Sequence, residues 1–268
     1  MNFDAVRLRR WYDTGQGQTA FRILSEVIEP WVAEKSEGAC VGLGYVQPWL
    51  EWLRPRRRLL WGVAPAEMGV IPWPGAGGNR MVQARPDALP FADRSVDRVF
   101  MVHLLEGSVA PNATLREVWR VLTPGGRLVL IVPNRSGLWA RRDSTPWGWG
   151  RPFSPGQLED LLEENLLLTR RSRYALFVPP WAGERLLAMA SAWEKAGNRW
   201  FAPLGGVIAC EAEKTVYAAL PLRGTASVLH SARRLVMPLV EPRGRSTSST
   251  TITRKYHDRS TAAASIPG

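Results

Sequence analysis

The amino-acid sequence predicts an α/β fold with an open parallel sheet, and three neighbouring segments carry this prediction. Residues 98–105 (RVFMVHLL) and 128–132 (LVLIV) are short, nearly continuous apolar runs, typical of strands that helices cover on both faces. Between them, residues 113–122 have apolar side chains at the i, i+3, i+4, i+7 spacing of one helix face. Pro124 and Gly125 then end that helix. A strand–helix–strand unit of this length predicts a right-handed crossover between parallel strands.

The amino-terminal part of the chain predicts helix, strand and helix in turn. Residues 1–38 are expected to form a leading helical segment, and the apolar stripe of residues 19–33 is interrupted by Pro30, which should kink or split the helix. Residues 39–43 (ACVGL) are the first expected strand. A helix over residues 47–53 follows, with proline in its first turn.

The next segments predict two more strands before the central unit. Residues 58–63 (RLLWGV) are the second expected strand, and residues 71–80, rich in Pro and Gly, are expected to be a connector. Residues 81–84 form a short third strand. His103 is then placed inside the fourth strand and Glu106 at its end, where open α/β sheets carry functional side chains.

Residues 133–151 combine tryptophan with arginine and should follow the fifth strand at the carboxyl edge of the sheet. Such a loop could be a lid that stacks a planar ring or holds an anion, or its tryptophans could simply pack. Ser154 is expected to cap a helix over residues 157–165. The remaining expected elements are a sixth strand, an inserted helix and a seventh strand, at residues 168–178, 182–196 and 206–220.

Composition and charge limit the classes of function. A hydrophobic content of 45% with 13 Trp predicts a globular chain, and no apolar run has the ~20 residues that a membrane helix needs. Residues 222–268 hold eight Lys or Arg and two Asp or Glu, so this Ser/Thr-rich tail carries +6 of the net charge of +11. We expect the tail to be disordered, and a nucleic-acid partner is not favoured. Two cysteines, Cys40 and Cys210, suit a reducing cytoplasm and predict no metal site.

Two sequence stretches also resemble a known family. LPFADRSVDRV (residues 89–99) and LREVWRVLTPGGRLVLIVPN (115–134) are similar to the class I S-adenosylmethionine (SAM)-dependent methyltransferases of the type 11 group. The resemblance implies a Rossmann-like, seven-stranded, mostly parallel sheet with helices on both faces. It also implies an antiparallel last strand, and the inserted helix expected before that strand suggests a small cap. Residues 39–221 would form this domain.

The resemblance implies a SAM site at the carboxyl ends of the strands. The implied cofactor-binding residues are Gly42, Leu43, Gly44, Tyr45, Ala64, Asp87, Ala88, Leu89 and His103. The sequence departs from the family pattern at four positions of this site: Cys40, Val46, Ala64 and Arg85. Family members usually have an acidic residue where Ala64 stands, and Glu67 could substitute for it.

Two functions therefore remain open. The first is a SAM-dependent methyltransferase that acts on an unidentified acceptor, preferentially a small molecule, with Glu106 and His103 as the candidates for proton transfer. The second is a non-catalytic, methyltransferase-like binding or scaffold protein, which the four departures favour. A nicotinamide dehydrogenase is disfavoured, because it would leave the two matching stretches unexplained. The sequence does not predict the oligomeric state.

Overall fold

The computed structural model describes residues 3–32, 38–75 and 78–216. Within these residues, one sheet contains seven strands: β1 (Cys40–Gly44), β2 (Leu60–Ala64), β3 (Met81–Gln83), β4 (Val96–Val102), β5 (Leu122–Pro133), β6 (Leu167–Ala175) and β7 (Val207–Lys214). The helices of the same residues are α1 (Ala5–Tyr12), α2 (Gly15–Val32), α3 (Gln47–Leu53), α4 (Pro111–Val121), α5 (Pro155–Glu164), α6 (Glu184–Ala188) and α7 (Ala190–Trp200). The tail predicted from residue 222 lies outside the described part of the chain.

The strand order is β3-β2-β1-β4-β5-β7-β6. Strands β1 to β5 pair with one another in parallel, and β7 runs antiparallel to both β5 and β6. The prediction of a seven-stranded, mostly parallel sheet with an antiparallel last strand is confirmed. Parallel neighbours bring their carboxyl ends to one edge, and the order reverses between β1 and β4, where open α/β folds bind ligands.

Helices cover both faces of the sheet, as strand β5 shows. Its side chains alternate: Val129 and Ile131 pack in a cluster with apolar residues of α2 and α3, whereas Leu128 and Leu130 pack in a second cluster with α4 and α5. All four side chains are buried, because a strand has a period of two and each face meets a helix layer.

Several element boundaries differ from the predicted ones for physical reasons. Strand β4 ends at Val102, because His103 has a left-handed backbone (φ 52°) that leaves the ladder, and Glu106 lies in a short 3₁₀ helix, Leu105–Gly107. Helix α2 passes through Pro30 and ends at Val32, so the proline does not split it. The inserted helix before β7 is two helices, α6 and α7. Ser154 caps α5, and the Gln157 side chain completes a capping box.

Helix α7 is attached to the sheet through Glu194. The carboxyl oxygens of Glu194 accept hydrogen bonds from the backbone N–H groups of Phe177 (2.7 Å) and Leu176 (3.2 Å), just beyond the end of β6. These donors favour the ionised form, yet burial outweighs them and raises the pKa of Glu194 to about 7.

The contribution of Glu194 to the stability of the fold should therefore fall as the pH rises between about 4.5 and 7. In this range the folded protein holds a proton on Glu194 that the unfolded chain, with an ordinary pKa of 4.5, has lost. The difference corresponds to about 3 kcal/mol of unfolding free energy as an upper bound. Urea denaturation across this range should show a shallower pH dependence for Glu194→Gln than for wild type, whereas exposed Glu164→Gln should keep the wild-type slope. Equal slopes for wild type and Glu194→Gln would contradict the expectation.

Candidate functional site

A cavity lies at the carboxyl edge of the sheet. Gly44 at the end of β1 pairs with Val102 at the end of β4, and Ala64 ends the adjacent β2. The cavity next to these ends has a volume of about 550 Å³, within the range of small-molecule sites. Its walls come from the amino-terminal segment, the β2–β3 and β3–β4 connections and the residues after β4: Phe3, Pro65–Met68, Arg85–Asp87, His103, Leu104, Gly107–Ala110 and Thr114.

The glycine-containing turn after β1 is tightly closed against β4. Gly44 has φ 87°, and a Cβ atom there would lie 2.3 Å from the carbonyl oxygen of Val102, so only glycine is compatible with this position. The Tyr45 N–H donates to the same oxygen at 3.0 Å. A Cβ on Gly42 would lie 2.6 Å from a methyl group of Val46, the residue that replaces the third glycine of the family pattern. The Val46 side chain therefore occupies the space beside Gly42.

Helix α1 covers this turn from the outside. The ring of Tyr12 stacks on that of Tyr45, with centroids 5.5 Å apart and planes inclined by 16°. Both tyrosines are buried, and Phe3, which precedes α1, lines the cavity with its ring 5.9 Å from the His103 ring. The sequence indicated a leading helix but did not indicate that its aromatic side chains form part of the site.

A buried hydrogen-bonded chain connects Tyr12, His103 and Glu106. The Tyr12 hydroxyl lies 2.8 Å from His103 Nε2, and His103 Nδ1 lies 3.3 Å from Glu106 Oε1. Burial, together with Tyr45 and Glu106, raises the pKa of the Tyr12 phenol well above its usual value. The phenol therefore remains protonated. In the tautomer of His103 that carries its proton on Nδ1, the phenol donates to Nε2 and Nδ1–H donates to Glu106. With both ring nitrogens engaged, His103 has no free nitrogen for a substrate in this arrangement.

Glu106 keeps one unused oxygen. Its Oε2 is buried and has no hydrogen-bond partner within residues 3–32, 38–75 and 78–216. His103, directly after the end of β4, has a left-handed backbone, and Glu106 has an unsatisfied carboxyl oxygen. Both features are unusual for a purely structural position. The two side chains are thus brought together, and neither residue lies in the strand that the sequence predicted for it.

Two carboxylates lie on the cavity wall. Asp87 is held by Arg85 through two contacts of 2.9 and 2.7 Å, and these hydrogen bonds lower the pKa of Asp87, so it is ionised at neutral pH. Glu67 lines the same cavity from the β2–β3 connection. Ala64 itself is buried and does not line the cavity. Of the implied cofactor-binding residues, Asp87 and His103 lie on the cavity wall, whereas the glycine turn after β1, Ala64, Ala88 and Leu89 do not line it.

The two stretches that resemble the family are joined to each other by hydrogen bonds. The Arg120 guanidinium donates to the carbonyl oxygens of Leu89 and Phe91, each at 3.0 Å, and contacts the carboxylates of Asp93 and Glu117. Glu117 in turn accepts from the Leu89 N–H at 2.9 Å. This network fixes the loop of Ala88 and Leu89 onto α4, which explains why the two distant stretches occur together.

The tryptophans of residues 133–151 pack into the protein, as one of the two alternatives predicted. Trp139, Trp147 and Trp149 are buried, and the Trp147 ring lies 4.2 Å from the His103 ring. Arg7 of α1 stacks over Trp149, with its guanidinium carbon 3.8 Å from the ring centroid. This segment is therefore a wall behind the site, and its rings are not presented to solvent.

No group of three or more His, Cys, Asp or Glu side chains in the described residues could hold a metal ion. Among the same residues, no helix is both long and apolar enough to span a membrane. Cys40 and Cys210 are buried in strands as free thiols, and burial raises the pKa of each above its usual value.

The strand order and the antiparallel seventh strand define the fold of class I methyltransferases, and comparison with solved structures confirms it. A SAM-dependent methyltransferase from Thermotoga maritima aligns with a TM-score of 0.52 and 20% identity, over 78% of this chain and 96% of that one. The [4+2]-cyclase SpnF aligns equally well (TM-score 0.52, 20% identity, 77% and 86% coverage). At such identities the likeness shows the fold alone.

Sequence comparisons match parts of the chain to methyltransferases. Residues 41–130 match the family model described as a methyltransferase domain, which supports the resemblance of this part of the chain to class I SAM-dependent methyltransferases. A ubiquinone/menaquinone biosynthesis C-methyltransferase from Hahella chejuensis is 45% identical over 58 residues, which are 21% of this chain and 23% of the relative. The chain thus spans about a quarter of the length of the first curated relatives it matches.

Proposed function

We propose that this protein is a methyltransferase that binds SAM in the cavity at the carboxyl edge and transfers the methyl group to a small-molecule acceptor. The observation that supports it best is the cavity itself, which opens where β1, β2 and β4 end and carries two carboxylates on its wall. Methyltransferase relatives support SAM as the methyl donor. The acceptor is unidentified.

The residues present fit the adenosine portion of SAM. Phe3, Met68 and Leu104 supply apolar surface for a planar base, and carboxylates are good acceptors for ribose hydroxyl groups. Because Ala64 has no polar side chain, we assign the ribose contact to Glu67, three residues later on the cavity wall. Asp87 is the second acceptor on the cavity wall, and the resemblance implies that it binds the cofactor.

SAM supplies a methyl group on a positively charged sulfur, and the task of the protein is to orient it and exclude water. In our proposal the closed turn at Gly44 sets the position of the β1 end, and Tyr12 holds that turn from outside. His103 is then a positioning residue, because Tyr12 and Glu106 occupy its ring nitrogens. Glu106, whose Oε2 is unsatisfied, is the stronger candidate for accepting a proton, although its buried side chain does not line the cavity.

A second function, ligand binding without methyl transfer, is favoured by two observations. The Val46 side chain fills the space beside Gly42, and Tyr12 covers the turn that family members use for the cofactor. A protein of this kind would bind an adenosine-containing ligand in the cavity and would form no methylated product.

The role of Glu67 can be tested with matched variants. Glu67→Gln should weaken the binding of S-adenosylhomocysteine about tenfold or more, since a charge-assisted hydrogen bond contributes ~1.5–3 kcal/mol. Glu164→Gln, an exposed change at the end of α5, is the control and should bind like wild type. Calorimetric titration measures all three proteins. Equal affinity of Glu67→Gln and wild type would remove Glu67 from the site.

A further inference from the structure

The segment between β6 and β7 exposes an unusual amount of apolar surface. Seven large side chains of residues 181–204 are exposed, and we call them the aromatic patch: Trp181, Leu186, Met189, Trp193, Trp200, Phe201 and Leu204. Trp200 and Phe201 are the most open of them, at 70% and 60% exposure. Single exposed apolar residues are ordinary, but such a concentration within one short segment indicates an interaction surface.

Helix α7 turns its small residues inward and its large ones outward. Its contacts with the body use Ala190, Gly197 and the carboxyl of Glu194, and the Gly197 backbone lies directly against the Phe177 ring. Trp193 and Trp200 are seven residues apart and therefore lie on one side of the helix, where both are exposed. A helix that served only the core would show the opposite arrangement.

Positive charges accompany the aromatic patch. Arg185, Lys195 and Arg199 are exposed in the same segment, and the Arg199 guanidinium lies 5.6 Å from the Trp200 ring centroid. The acidic residues of the segment are Glu184 and Glu194, of which Glu194 faces the protein and has a raised pKa. The outer face of the segment is therefore basic as well as aromatic.

We propose that residues 181–204 dock this protein on the surface of an anionic lipid bilayer. Tryptophan, phenylalanine and leucine together with Arg and Lys are the composition that lies in the bilayer interface, where the rings enter the headgroup region and the cations meet lipid phosphates. The segment begins and ends at the edge of the sheet that holds the cavity. Val207, the first residue of β7, pairs with Ala175 at the end of β6 and with Pro133 at the end of β5. Docking would thus place that edge near the membrane. The proposed docking does not depend on which ligand the cavity binds.

The test is co-sedimentation of the full chain with vesicles of phosphatidylcholine and phosphatidylglycerol, and with phosphatidylcholine vesicles alone. Wild type should bind the anionic vesicles, and the double variant Trp200→Ser/Phe201→Ser should bind them about tenfold or more weakly, since two large rings no longer enter the interface. Met189→Ser/Trp193→Ser should weaken binding in the same direction. Leu59→Ser, at a position that is 52% exposed just before β2, is the matched control and should bind like wild type.

Three results would overturn docking by the aromatic patch. The first is wild-type protein that stays in solution with anionic vesicles. The second is double variants that are folded by circular dichroism and bind as well as wild type, which would assign binding to basic residues elsewhere. The third is a wild-type dimer, seen by sedimentation velocity, that the double variants convert to monomers while no protein binds vesicles; the patch would then join two copies of the chain.

Discussion

Replacement of Trp147 by alanine is expected to lower the free energy of unfolding by about 3–5 kcal/mol. The indole is fully buried, with its ring 4.2 Å from the His103 ring, so its removal leaves a large cavity behind the site. Its N–H has no acceptor within the described residues, so the loss arises from packing and not from a broken hydrogen bond. Urea denaturation followed by circular dichroism measures the difference.

Trp181→Ala is the control for this loss. Trp181 is 56% exposed, and its truncation should change the unfolding free energy by less than about 1 kcal/mol. Similar small changes for Trp147→Ala and Trp181→Ala would mean that residues 133–151 form an open lid. The structural account of that segment would then be wrong.

Gly44→Ala should be the second large effect, with an expected loss of about 2–4 kcal/mol of unfolding free energy. Two costs combine: a non-glycine residue at φ 87° strains the backbone, and the new Cβ would lie 2.3 Å from the Val102 carbonyl oxygen. Relief of the contact requires β1 and β4 to separate at the edge of the site. We therefore expect the variant to lose ligand binding together with stability.

Gly69→Ala separates these two costs. Gly69 has a similar backbone, φ 78°, but a Cβ there meets no atom within 4 Å. It should lose only the backbone contribution, about 1 kcal/mol. If chemical denaturation showed that Gly44→Ala loses no more unfolding free energy than Gly69→Ala, the turn after β1 would accommodate a side chain, which would contradict our account of its contacts.

Much of the fold could be predicted because the strands are buried on both faces. The run at 128–132 has no polar interruption, and the pairing of two clusters across β5 follows from that pattern alone. The end of β4 could not be predicted, because nothing in the letters RVFMVHLL shows that His103 adopts a left-handed backbone. The sequence did not predict the break between α6 and α7, because the spacing of their large apolar residues is typical of one helix that faces the core. In the structure these residues are exposed to solvent.

The place of the candidate site in the fold could be predicted from the sequence, but several of its residues could not. The carboxyl edge follows from parallel topology, and Gly44 was recognised from its turn. Tyr12 was not recognised, because its partner His103 is 91 residues away and a lone tyrosine in a helical segment gives no local signal. Phe3 was missed for the same reason. Contacts between residues that are far apart in sequence depend on tertiary packing, and the spacing of residues within one segment does not predict them.

The central claim, that the cavity at the carboxyl edge holds SAM, is tested most directly by calorimetric titration of the wild-type protein with SAM and separately with S-adenosylhomocysteine. The account predicts one site per chain with micromolar affinity for both ligands. Absence of binding up to millimolar ligand, in protein whose circular dichroism shows it to be folded, would contradict it. The second function, without methyl transfer, would then need a ligand other than SAM.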